Sequence, residues 1–530
     1  MPTPHGLRAR FSSPVFLLAL VAGLVAFVVQ SGELATADTQ HRLNSTHAFW
    51  TSDPPVFAWE YPEFGIHGRG GRLESWYGIG QSLLMLPEDM VGTLLENLPL
   101  FAHYKNTDPT VRNIFVSYVT NILVTVLTAL ACFRLLRQFD FTVNQSVAGV
   151  LVMLVATTHL HYTQNMMENN YIYLLTVAGF SFEYQWVRTG SFRALLLGSG
   201  AFGLNLLTRL TTGIDLLAGV AFVALVLAFE RTYLPAFWSR MRSYARVAVP
   251  VFCVFGLLDR VYQFYRFGSF TNTYVSIVAR EALERHPDWP RNYPFETPFH
   301  VGFLGALFAP EKSIFLFDPL LILAILISLA GWKRFSPAVR AYTVSAFLML
   351  AGYICFYARY TVWSGDFAWG DRYVSTAVEL ATLLSFPLLL RHRAVLGRSL
   401  WILGIALLAA SLVIQLASLA FWLPLEIYQM EEFGHPTFVI WLRMKNIAAF
   451  ALGRMDAWGL ATDSLKEDPW DYVHMTTWNF LPFLLRRVGV APPWAVDAAF
   501  AVWYAGLAAL AAAGIRLRIA TRQLRILARG

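Results

Sequence analysis

Along most of this chain, apolar residues are not interleaved with polar ones. They come in blocks long enough to cross roughly 30 Å of hydrocarbon, separated by shorter polar stretches. The blocks predict helices at about 14–30, 113–135, 146–160, 170–187, 193–208, 213–229, 246–263, 313–330, 339–357, 374–390, 399–422 and 493–515. The pattern is that of an all-α polytopic membrane protein with about twelve transmembrane helices. The first block follows Arg8 and Arg10 and lacks a convincing small-residue cleavage site, so it reads as a retained signal-anchor helix rather than a removed leader. The longest polar interruption, 31–112, forms a large first loop in which Leu43, His47 and Trp50 share one face of an amphipathic helix.

Basic residues orient these helices. Arg8 and Arg10, Arg134 and Arg137, Arg188 and Arg193, and the cluster Arg231, Arg240, Arg242 and Arg246 fall on one side if the spans alternate. So do Lys333, Arg334 and Arg340, then Arg391, Arg393 and Arg398, and finally the tail from Arg516 to Arg529. Cations accumulate on the cytoplasmic side of membrane proteins. Both termini are therefore expected in the cytoplasm, with the protein in the cytoplasmic (inner) membrane. Four parts are expected: a core module 1–263 including loop 31–112, a second module 264–422 with outer loops 265–312 and 359–372, an extracytoplasmic helical segment 423–492, and a last span with a basic tail, 493–530. The stretch Phe438 to Leu460 is amphipathic and suited to lie on the membrane surface.

Composition agrees. The 530 residues are 56% hydrophobic and 14% charged, against about a quarter charged in soluble domains. The net charge of +7 sits beside the spans, where topology explains it, and gives no reason to expect nucleic acid. Cys132, Cys253 and Cys355 lie in or beside apolar blocks and predict no structural disulfide.

The chemistry gathers in the loops on the other side. Asp38 lies shortly beyond the first span and is either a helix N-cap or a general base toward a hydroxyl; Glu33, nearer the membrane, is its competitor. Arg42 either pairs with Asp38 one turn away or meets a phosphate. In the run Trp76, Tyr77, Gly78, Ile79, Gly80, Gln81, Ser82 the glycines permit close backbone approach, and the aromatics and Gln81 suit a sugar face. His159 and His161 are poorly spaced for joint ligation, so no metal or other cofactor is expected there. Glu168 opens a span, where a carboxylate needs a cavity or a cation such as Arg209. Arg209 either pairs with Asp215 or faces a lipid phosphate. The densest block packs Trp363, Asp366, Trp369, Asp371, Arg372 and Tyr373 against a span, with Arg372 placed to grip a phosphate and Lys312 as a further cation.

With these residues the sequence resembles the GT-C superfamily of integral membrane glycosyltransferases that use polyprenyl-phosphate sugars, such as protein mannosyltransferases and the aminoarabinose transferase of lipid A. Asp38 matches the acidic position of the first loop and Glu168 resembles that of the second. Many members pair two acids in the first loop, whereas Asp38 is followed by Thr39, leaving one base. The resemblance implies inverting transfer from a polyprenyl-phosphate-linked donor to a glycan, lipid or protein acceptor in the cell envelope, outside the cytoplasmic membrane. Asp38 would be the base, Glu168 or Glu33 a second carboxylate, and Arg372, Lys312, Arg209 and Arg42 the phosphate ligands. Trp76, Tyr77, Gln81, Trp363, Asp366, Trp369, Asp371 and Tyr373 would contact sugar or lipid. Two rivals remain: a polysaccharide ligase or polymerase using a lipid-pyrophosphate glycan, and a flippase or transporter, which should carry more charge inside its spans. A non-catalytic scaffold leaves the convergence of acids and bases unexplained.

Overall fold

The computed structural model describes residues 13–34, 36–104, 109–366, 368–433, 438–457, 472, 474–489 and 491–527. Arg8, Arg10, Arg529 and parts of 423–492 therefore lie outside the described residues. Every predicted span overlaps a helix, though 313–330 and 374–390 are each divided between two helices. In chain order these are α1 (Pro14–Val29), α2 (Ala37–His47), α3 (Ile79–Glu96), α4 (Val111–Gln138), α5 (Val143–Val155), α6 (His159–Gln164), α7 (Asn169–Thr189), α8 (Phe192–Thr208), α9 (Gly213–Phe229) and α10 (Phe237–Phe267). There follow α11 (Tyr274–Arg285), α12 (Phe299–Phe308), α13 (Ile314–Phe317), α14 (Leu320–Gly331), α15 (Pro337–Tyr357), α16 (Ser375–Thr382) and α17 (Ser385–Ser418), then α18 (Pro424–Phe433), α19 (Val439–Ala451), α20 (Leu481–Val488) and α21 (Pro493–Leu527). The only sheet among the described residues is a two-stranded ribbon, Ile66–His67 against Leu73–Glu74. The chain is an all-α polytopic membrane protein: among the described residues, 6 helical stretches are long and apolar enough to cross a bilayer. α1, α5, α8 and α12 are apolar but shorter.

Differences from the sequence reading have local causes. The predicted span 313–330 is broken at Asp318 and Pro319, because proline offers no N–H and the Asp318 carboxylate accepts from the Thr158 backbone N–H and hydroxyl at 2.8 and 3.1 Å. The span 146–160 stops at Val155, and the following turn starts α6. The spans 374–390 and 399–422 run on into one another through α17, which departs from helical geometry at His392 and Gly397. α12 was read as outer loop. It packs on α15, and Gly302 lets the backbones meet, since a β-carbon there would stand 2.2 Å from the Ala358 carbonyl oxygen.

The loops separate to two ends. At one end the arginines bind the carbonyls that terminate neighbouring helices: Arg188 donates to Gln138 at 3.1 Å, Arg240 to Val187 at 2.9 Å, and Arg391 to Phe139 at 3.3 Å. Below them, Phe139, Phe180, Tyr184, Phe222 and Tyr342 form one aromatic core. The acidic and aromatic loops meet at the other end. The first and last described helices are adjacent: α1 packs on α21, and the Trp503 indole donates to the Val28 carbonyl at 2.8 Å.

α18 and α19 are docked against the end of α17, not merely surface-lying. Arg443 on α19 is fully buried, pairs with Glu426 on α18 through two bonds of 2.6 and 2.7 Å, and donates to the carbonyls of Ser418 and Phe421 at 2.8 and 2.9 Å. Arg443→Met removes one partner of this pair and leaves the Glu426 charge buried. It is expected to cost about 3–5 kcal/mol, read as a lower melting temperature of the purified protein, with Arg443→Met/Glu426→Leu recovering most of the loss.

Candidate active site

α2 positions the site. Its N-cap is Thr36, whose hydroxyl accepts from the Thr39 N–H at 3.2 Å. Asp38 is thus not the cap; it lies in the first turn with its carboxylate free to face a cavity of about 370 Å³. The far side of α2 is fixed by Asp89 of α3, which accepts from the Trp50 indole at 2.7 Å and lies 3.0 Å from His47 Nδ1.

Two carboxylates and three guanidiniums make the centre. Asp38 Oδ2 accepts from Arg372 Nη1 at 2.7 Å, and Oδ1 accepts from the Tyr77 hydroxyl at 2.5 Å. Glu168 holds the other two cations, Arg42 at 3.0 Å through one oxygen and Arg209 through the other. Arg42 is therefore not the partner of Asp38, and Arg209 does not pair with Asp215. Asp215 instead accepts from Thr176 and Tyr353 at 2.6 Å each. The guanidiniums share aromatic faces: Arg42 lies 4.3 Å from the Tyr77 ring centre, while Arg209 and Arg372 lie 5.4 and 5.2 Å from that of Tyr373. Tyr373 in turn stacks on Tyr357, centroids 4.2 Å apart. Asp38 is 19% exposed and Glu168 3%; both line the cavity, and Asp38 is the more accessible of the two.

Burial acts to raise the Asp38 carboxyl, but Arg372 and then Arg42 overcome it and hold it below the usual carboxylate range. Burial likewise opposes ionisation of Glu168, and Arg42 and Arg209 reverse it, holding Glu168 well below the ordinary value. Because both folded values are depressed, the stabilisation is complete above the ordinary carboxylate range and is lost only as pH falls through the lower folded values. The cluster therefore stays fully ionised at neutral pH. The guanidiniums are not saturated: Arg42 Nε and Arg372 Nε are buried without a hydrogen-bond partner. Buried donors left without a partner are costly, and here they border a cavity.

Close backbone approach builds the wall. A β-carbon at Gly78 would stand 2.4 Å from the Leu207 carbonyl oxygen, and one at Gly80 would stand 2.1 Å from the Thr208 hydroxyl. Only glycine lets the Tyr77 loop lie against the end of α8, next to Arg209. Asn169 ties the start of α7 to the Arg372 carbonyl at 2.6 Å and to Ser375 at 2.8 Å.

Of the other residues singled out, Trp76, Asp366 and Tyr373 line this cavity. Several do not. Lys312 is buried and donates to the carbonyls of Asp366 and Ala368 at 2.5 and 2.8 Å; burial pushes its amine down to about 8. It holds the loop rather than a ligand. Trp369 is fully buried, with its ring 5.8 Å from His161 and 5.0 Å from Phe317. Trp363 fills the space above Gly305, and Gln81 is buried inside α3. Asp371 turns inward, accepting from the Tyr373 N–H at 3.1 Å; burial pushes it up to about 7. Glu33 faces His474 at 2.7 Å, outside the cavity. His159 faces Glu379 at 3.3 Å, apart from His161. Among the described residues no three His, Cys, Asp or Glu side chains converge to hold a metal.

One structural residue was missed. Arg266, buried at the end of α10, donates to the carbonyls of Ser75 and Tyr77, the latter at 3.0 Å, and so fixes the Tyr77 loop. A lone arginine closing a span at the end opposite the basic loops was the available signal.

A second cavity of about 270 Å³ adjoins the first and shares Asp38, Glu63, Phe64, Asp366 and Arg372 with it. Its own lining includes Asn165, Trp422, Pro424 and His161, whose imidazole burial pushes down to about 3 and so keeps neutral. The Asp38–Arg372 pair thus stands where two cavities meet.

No family model and no curated protein matches this chain. Among solved structures it is similar to the archaeal oligosaccharyltransferase AglB from Archaeoglobus fulgidus, in complex with an inhibitory peptide and a dolichol-phosphate, with TM-score 0.43 and 13% identity over 76% of this chain. The alignment spans 55% of that longer chain.

Proposed function

We propose that this chain is an inverting glycosyltransferase of the GT-C kind, moving a sugar from a polyprenyl-phosphate donor to a hydroxyl acceptor at the extracytoplasmic face of the cytoplasmic membrane. The observation that carries the reading is the junction of two cavities at Asp38 and Arg372, with buried guanidinium N–H groups beside it. The larger cavity, walled by Tyr357, Tyr360, Tyr373 and Phe295, suits the donor, with its phosphate among Arg372, Arg42 and Arg209. The smaller one suits the acceptor.

The chemistry balances without a further reactant. The acceptor oxygen forms a bond to the anomeric carbon as the carbon–oxygen bond to phosphate breaks. Asp38 takes the hydroxyl proton, and the polyprenyl phosphate leaves with one more negative charge than it had in the diester. That charge develops in the transition state, where fixed guanidiniums stabilise it more than they stabilise the bound donor. Phosphate is already a good leaving group, so no general acid is needed.

Around the cavity Arg42, Arg209 and Arg372 face four carboxylates, Asp38, Glu63, Glu168 and Asp366, so the charge of the lining does not separate a phosphate-linked from a pyrophosphate-linked donor, and turnover does. Purified protein in liposomes, given an envelope extract as acceptor, is expected to release polyprenyl phosphate from a radiolabelled polyprenyl-phosphate hexose and to leave the pyrophosphate-linked counterpart intact. Turnover of the pyrophosphate donor alone would replace this reading with the ligase.

A further inference from the structure

At the basic end, away from the cavities just described, an apolar furrow of about 1080 Å³ runs between α14 and α15. Ile325, Leu329, Phe347 and Leu348 line it, and Lys333 and Arg334 stand at its mouth. Leu329 is 75% exposed and Leu348 55%. A second groove of about 480 Å³ shares Ile325 and carries the apolar surface on toward α12. α14 has 12 residues, so it rises about 18 Å, comparable with the roughly 15 Å of hydrocarbon in one leaflet.

The mouth is built to present charge. Arg340 donates to the carbonyls of Trp332 and Lys333 at 3.0 and 2.8 Å, fixing the turn. Lys333 and Arg334 remain exposed, and among the described residues neither has a carboxylate partner. The turn is held on its other side, where Phe335 packs 6.0 Å from His392 of α17. No acidic residue lines the furrow.

We propose that this furrow is a binding site for an anionic phospholipid of the leaflet at the basic end, one acyl chain lying along α14 and the phosphate between Lys333 and Arg334. A zwitterionic lipid would fill the apolar part equally well and leave two cations uncompensated. Each basic residue near an anionic headgroup contributes about 1 kcal/mol, so the pair gives selectivity as well as occupancy. The site is independent of the sugar-transfer reading.

The test uses the full-length protein, purified and returned to mixed phosphatidylglycerol–phosphatidylcholine nanodiscs, with retained lipid measured by native mass spectrometry. Wild type is expected to keep phosphatidylglycerol, with neither inorganic phosphate nor soluble glycerophosphoglycerol displacing it. Lys333→Gln/Arg334→Gln should weaken retention by roughly tenfold or more, and Leu348→Trp, which fills the furrow with the charges intact, should weaken it too. Undiminished retention in the charge variant overturns the proposal. Loss there with full retention in Leu348→Trp also overturns it, because surface charge without the furrow would then suffice. Displacement by phosphate alone would show an anion site and not a lipid site. Melting temperature checks that each variant is folded.

Discussion

Asp38→Asn is expected to lower kcat by a factor of about 10³ or more while leaving donor binding intact or tighter. General-base catalysis contributes about 10²–10⁴-fold, and asparagine cannot take the acceptor's proton. The sign of the binding effect is the informative part. Asp38 accepts from Arg372 at 2.7 Å, so under the proposed mechanism the carboxylate competes with the donor phosphate for the same guanidinium. Removing its charge frees Arg372, and the KM for the donor should fall or stay level. A merely structural carboxylate would show the opposite: weaker donor binding, a lower melting temperature and a modest change in kcat. Full transfer by purified Asp38→Asn would remove this residue from the chemistry and pass the role of base to Glu63 or Asp366, the other carboxylates that line both cavities.

The helices and the convergence of charge could be read from the sequence because both arise from unfavourable placements. Apolar blocks must cross the bilayer, and ionised side chains beside them need partners, so Asp38, Arg42, Glu168, Arg209 and Arg372 stood out. Which partner each takes could not be read. Arg42 is one turn from Asp38 yet reaches Glu168 at 3.0 Å, because tertiary packing brings α7 to α2. Glu33 is near the membrane but faces His474 at 2.7 Å, a residue far along the chain. Within the block 363–373 composition marked the site without saying which side chains face it. Gly365, Asp366 and Gly370 all have positive φ, so no simple period sorts inward from outward. Trp369 and Asp371 turn into the protein, and Arg372 and Tyr373 into the cavity. Tyr357 carries no distinguishing signal in the sequence; its role as a floor for Tyr373 appears only in three dimensions.

Arg372→Gln is expected to lower kcat/KM by about 10²–10³, the usual effect of deleting one preorganised group that stabilises transition-state charge, and to displace the acid limb of the pH profile. The second effect follows from the Asp38 environment. Burial pushes that carboxyl up, and Arg372 is the largest influence pulling it down, ahead of Arg42. Without Arg372 burial gains the upper hand, the folded value climbs, and the base is protonated over a wider acid range. The acid limb of kcat/KM, which reports the free enzyme, should therefore move to higher pH. Arg372→Lys keeps the charge and loses the paired donors, so it should restore the limb more fully than the rate. The wild-type protein makes the same coupling visible without mutation. When the donor phosphate takes Arg372, Asp38 loses its strongest opposing charge and becomes more basic, so the acid limb of kcat should lie above that of kcat/KM. Under the proposed mechanism the base is ionised but weak before the donor binds and strengthens when the phosphate takes Arg372. Coincident limbs in the wild type, together with an unchanged donor KM in Arg372→Gln, would show that the guanidinium serves the carboxylate alone and that the phosphate binds elsewhere.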